Sequence, residues 1–113
     1  MKGIAAVVLA FSLSHACLAA DADASPEGIA AVEELGRING TALACAQPAL
    51  VSRSRNTVTT GAPKVRHYGE AFEAATNAAF LAQGQGAECP DGAALSRRLE
   101  AAEQRLQAAF AAR

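Results

Sequence analysis

"SPEGIAAVEELGRINGTALAC", residues 25–45, reads as a single helix that ends in a cysteine, and the rest of the chain can be arranged around it. Ser25 offers a capping hydroxyl. Pro26 takes the first helical position, where its missing N–H is not needed, and Glu27 puts an acid in the first turn. Ile29, Val32, Leu35, Ile38, Ala42 and Cys45 recur at spacings of three or four and so line one face, with Glu33, Glu34 and Arg37 off it. Beside that stripe run Gly36, Gly40 and Ala44, four apart. Each glycine weakens a helix by about 1 kcal/mol relative to alanine. Two on one face therefore leave two readings: another helix approaches closely there, or "RING" breaks the helix near Asn39. Pro48 closes this element.

Beyond it, residues 49–60, "ALVSRSRNTVTT", carry a mixed signal. Leu50, Val51, Ser54 and Val58 allow a short helix, whereas the Thr-Val-Thr-Thr run leans towards extended structure. After the break at Gly61-Ala62-Pro63, the stretch "PKVRHYGEAFEAATNAAFLAQ" predicts a helix with Pro63 at its start. Its inner side holds Val65, Tyr68, Phe72, Ala75 or Thr76, Ala79 and Phe80. Gly84, Gly86, Pro90 and Gly92 form a joint, Asp91 caps the last helix, and Leu95, Leu99, Ala102, Leu106 and Phe110 make the cleanest apolar stripe in the chain. The fold class expected is all-α, a small antiparallel bundle or array of about four helices, because short connections favour antiparallel neighbours.

On the other side of residue 25 the pattern changes. "MKGIAAVVLAFSLSHACLAADADA" has one basic residue, Lys2, an apolar run from Ile4 to Leu13, and then small residues and acids, the order of a secretory signal peptide. The run is far shorter than the ~20 residues that cross a bilayer as a helix. Cleavage is expected after Ala20, with Ala19 or Ala22 as neighbouring sites. A lipid on Cys17 is the rival reading, but His15 and Ser14 stand where such a site favours a small or apolar residue and a leucine. The expected organisation is a signal peptide over 1–20, a flexible acidic segment over 21–26 and one helical domain over 27–113, located in the periplasm or secreted.

Cleavage would leave Cys45 and Cys89 as a pair in an oxidising compartment, which predicts a disulfide. A closed loop of about 45 residues stabilises by roughly 4 kcal/mol in the chain-entropy picture, a large share for a domain this small. The end of the first helix and the start of the last share a pole in an up-down-up-down bundle, so the bond fits that topology.

The same residues narrow the functions. His67 would be the one histidine left, and no Cys-x-x-Cys pair exists, which argues against metal, haem and thioredoxin-type chemistry; no cofactor is expected. Arg66 and Lys64 flank His67 where a catalytic triad would place an acid, so no enzyme is expected. "GQGAEC", residues 84–89, lacks the lysine of a phosphate-binding loop, and the formal net charge of -1 gives no field for nucleic acid. What remains is an exported, non-enzymatic interaction or chaperone-like module. Lys64, Arg66 and His67 fall in the expected first turns of helix three, where the macrodipole disfavours positive charge. With Arg53, Arg55 and Tyr68 they form a candidate surface for an acidic protein partner, or else they pair internally with Glu27, Glu33 and Glu34. The alternative function is a small periplasmic enzyme or ligand carrier with its site between helices near His67 and Tyr68.

Overall fold

The computed structural model describes Gly3 and residues 24–111. The expected signal peptide, Cys17 and the acidic residues 21–23 lie outside the described residues, Gly3 apart. The described chain is all-helical, with no strand: α1 is Pro26–Ala44, α2 is Pro48–Gly61, α3 is Arg66–Gln83 and α4 is Gly92–Phe110.

The caps follow from the sequence. Ser25 accepts from the Gly28 N–H at 3.0 Å and starts α1, and Asp91 accepts from the Ala94 N–H at 2.7 Å and starts α4. α1 runs through "RING" without a break, so the reading of a break at Asn39 is set aside. Pro48 does not merely end α1; it occupies the first turn of α2, where a proline is tolerated. The ambiguous threonine run is helical. Thr59 and Thr60 each donate a side-chain hydrogen bond at 2.8 Å to the carbonyl four residues back, and Ser54 does the same to Leu50. This is the bond a threonine or serine hydroxyl makes when its residue lies inside a helix. α3 starts at Arg66 and not at Pro63: Pro63, Lys64 and Val65 are connection, with Val65 extended as the residue before the helix.

α1 is the centre. It touches each of the other three helices, and α4 also packs on α2, while α3 rests on α1 with few contacts elsewhere. Val32, Leu35, Ile38 and Ala42 of α1 join Leu95, Leu99, Ala102 and Leu106 of α4 and Tyr68 and Phe72 of α3 in one core. These are the residues the spacing pointed to, with one correction. Phe80 was expected inside and is 46% exposed. The reason lies in how α3 sits. A Cβ at Gly36 would lie 2.7 Å from that of Ala75, and one at Gly40 would lie 2.2 Å from the Thr76 carbonyl oxygen. The two backbones meet so closely that only a narrow strip of α3 is covered, and Phe80 falls outside it. The glycine pair does mark a close helix approach.

Cys45 and Cys89 are bonded, with Cα atoms 5.8 Å apart, within the range an unstrained bridge needs. The bond ties the end of α1 to the residues just before α4. At the other pole Tyr68 stands edge-on to Phe110, ring centres 5.2 Å apart, and its hydroxyl accepts from the Ser25 N–H at 2.9 Å.

Candidate functional site

The six residues expected to form a binding surface do not all share one face. Arg53 turns towards α4, where its guanidinium grips both oxygens of Glu103, one of them at 3.1 Å from Nε. Thr57 donates to the same carboxylate at 2.8 Å. The hydrogen bond from Arg53 is the main cause that holds the Glu103 carboxyl below its ordinary value; partial burial opposes it and Thr57 assists. The same bond raises the Arg53 pKa. Arg55 lies on another side of α2, in a shallow cleft against α3 that it shares with Val58, Thr59, Gly69, Phe72 and Glu73.

Lys64 is a clear departure from expectation. Because α3 begins two residues later, its ammonium is not in that helix at all. It donates to the carbonyl of Thr59, in the last turn of α2. A positive charge is favoured at that end, so Lys64 keeps the local rule, while Arg66 and His67 do stand in the first turn of α3 as expected. Arg66 is exposed at the first position of α3, and His67 is half-buried. Tyr68 is 1% exposed and belongs to the core, so no partner reaches its ring without opening the fold. Among the described residues, Arg53, Arg55, Lys64 and Arg66 form no ion pair with Glu27, Glu33 or Glu34. Glu34 is instead engaged by Arg37 at 2.7 Å and faces Arg98 at 3.9 Å.

A different feature stands out. Between α1, α3 and α4 runs a groove of about 620 Å³. Its floor and one wall are alanine: Ala71, Ala74, Ala75, Ala78, Ala79 and Ala82 from α3, closed at the far end by Ala87 of the joint. Glu33, Arg37 and Thr41 of α1 and Arg98 of α4 stand on the other side. Two smaller hollows adjoin it along α4, one at Glu34, Arg98, Ala101 and Arg105, the next at Glu27, Arg105, Ala108 and Ala109. The groove exists because the glycines draw α3 against α1 while α3 and α4, though consecutive, hardly touch.

Sequence reasoning missed it for a physical reason. Alanine on an exposed face reads as helix propensity and not as surface. The available signal was a second apolar row on α3, Ala71, Ala74, Ala78 and Ala82, on a different face from Tyr68, Phe72 and Thr76.

Chemically the groove offers shape and apolar contact with a rim of guanidinium and carboxylate. Among the described residues no three His, Cys, Asp or Glu side chains are grouped to hold a metal ion, and no helix is long and apolar enough to cross a membrane. No protein-family model matches this chain, and no curated protein or solved structure matches it either.

Proposed function

We propose that this is an exported, disulfide-stapled helical module of the interaction or chaperone-like kind, which receives an apolar segment of another protein in the groove between α1, α3 and α4. The observation that carries the reading is the alanine lining. Small side chains let an incoming backbone lie close, and a charged rim orients it; helix-in-groove recognition works through such surfaces. The proposed contact surface moves accordingly, away from Arg53, Lys64 and Tyr68, whose side chains are engaged within the fold. The reading includes export to the periplasm with removal of residues 1–20, for which the charge and apolar pattern of that segment is the support.

It also includes the up-down-up-down course of the helices. Several contacts support that course: Cys45 with Cys89 and Gly28 beside Phe110 for α1 against α4, Gly28 beside Tyr68 and Gly40 beside Thr76 for α1 against α3, and Arg53 with Glu103 and Gly61 beside Leu106 for α2 against α4.

Ala78→Arg tests the function. The side chain is exposed and lines the groove, so the variant should fold and melt as the wild type does while filling the groove with a long charged chain. Immobilised wild type and variant are exposed to the same periplasmic extract and to the same model client, a chemically unfolded protein whose aggregation is followed by light scattering. The expected result is a tenfold or greater loss of capture and of aggregation suppression. Equal performance by Ala78→Arg, with loss in Arg55→Gln/Arg66→Gln instead, would return the site to the basic residues.

A further inference from the structure

The buried face of α3 nearly repeats itself every four residues. Tyr68, Phe72, Thr76 and Phe80 stand one above another, and Ala71, Ala75 and Ala79 follow beside them. The surface of α1 that receives them is a track of small residues in which Gly36 and Gly40 are also four apart. A slide of α3 by one turn towards its C-terminal end, about 6 Å at 1.5 Å per residue, would set Ala71 against Gly36, Ala75 against Gly40 and Tyr68 where Phe72 had been. Gly84 and Gly86 follow α3 in the connection to α4, where glycine widens the backbone conformations open to the chain. The opposite slide carries exposed Phe80 into the covered place now held by Thr76, although it sets Gln83 and not an alanine against Gly40. Steric fit alone therefore leaves more than one register open.

A single polar contact distinguishes them. Asn39 is fully buried in α1 and donates from Nδ2 to the Thr76 Oγ1 at 3.1 Å, in the middle of the α1–α3 contact. After a one-turn slide the amide would face Phe72 or Phe80 and lose that partner in a place where water cannot replace it. The Tyr68 hydroxyl also reads the register, but its bond to Ser25 is only partly buried, where solvent can substitute. The Asn39 Oδ1 is buried with no hydrogen-bond partner among the described protein atoms. A buried polar group that is incompletely satisfied, yet sits at the one position that breaks a repeat, is the pattern of a register-setting asparagine in a coiled coil.

We propose that Asn39 and Thr76 form a register lock, which costs the fold some stability and in return holds α3 at one of several nearly equivalent positions on α1. The lock also keeps Phe80 at the surface and the α3 alanine row at the rim of the groove.

The oxidised full chain carrying Asn39→Leu tests this, with Thr76→Val as its counterpart. Removing the amide should leave the thermal midpoint equal to or above that of the wild type and should double or broaden the amide resonances of residues 71–80. Thr76→Val strips the partner but leaves the amide buried, so it should lower the midpoint. Asn39→Ala serves if leucine proves too large to fold, and the doubling is expected there too. One sharp set of resonances in the folded Asn39 variant, with contacts between residues 40 and 79 retained, would overturn the lock. So would a lowered midpoint with a single register in both Asn39 variants, because the pair would then be an ordinary stabilising hydrogen bond.

Discussion

α1 is buried on two sides by opposite means. Towards α4 it presents Leu35, Ile38 and Ala42, which share one core with Leu95, Leu99 and Leu106. Towards α3 it presents Gly36 and Gly40, and there backbone meets backbone across almost nothing. The leucine side gains by the apolar area it removes from water, about 25 cal/mol per Å². On the glycine side the backbones themselves close the interface. It gains dispersion from many close atoms, and it can do so only because nothing projects. The same helix thus tolerates loss of volume poorly on one side and gain of volume poorly on the other.

The largest expected effect belongs to the leucine side, at the bond that fastens its pole. Cys45→Ser/Cys89→Ser should lower unfolding free energy by about 4 kcal/mol, read by urea titration, because the loop it closes spans 44 residues in sequence. Next come Leu99→Ala and Leu106→Ala, each about 3 kcal/mol, since both side chains are fully enclosed and leave a cavity. Either one changing stability by less than about 0.5 kcal/mol would contradict that packing.

The glycine side gives the sharper test, because the sign of one substitution depends on place. Gly40→Ala should cost about 1–3 kcal/mol although alanine is the better helix former, because its Cβ would press on the Thr76 carbonyl oxygen. Gly69→Ala, in α3 with nothing within 4 Å of the new Cβ, should stabilise by up to about 1 kcal/mol. Two alanines of equal propensity with opposite effects would isolate the close approach; two gains would remove it.

Smaller effects mark the polar contacts around this frame. Lys64→Gln should cost roughly 0.3–1 kcal/mol at low salt through loss of a charge at the C-terminal end of α2, a change in the direction opposite to the one its position in the sequence suggested. For Glu103, the folded carboxyl titrates below its unfolded value, so its contribution is present above the unfolded pKa of about 4.3 and is lost as pH falls through the folded pKa. Glu103→Gln should therefore flatten the acid limb of the stability profile, by well under 1 kcal/mol for a pair this exposed.

These contrasts also show what the sequence could convey. α1 and α4 were legible because their apolar residues recur at helical spacing and Ser25 and Asp91 begin them. α2 was not, because Ser54 is its single buried residue, so it carries no buried apolar stripe for periodicity to register. Phe80 was misplaced because spacing gives the direction of a side chain and not the depth to which a helix is covered. The basic residues looked like one surface because they are near in sequence, yet two positions along α2 is more than half a turn, and Arg53 and Arg55 face different neighbours.

Gly40 carries a consequence at the level of the gene. A single-base change in a glycine codon yields alanine, valine, serine, cysteine, arginine, tryptophan, aspartate or glutamate, or a stop, and every amino acid among these adds at least a Cβ. At residue 69 the added atom meets open space; at residue 40 it meets the backbone of another helix. In a library of random point mutants selected for folded protein, codon 69 should drift freely while codon 40 keeps only its synonymous forms.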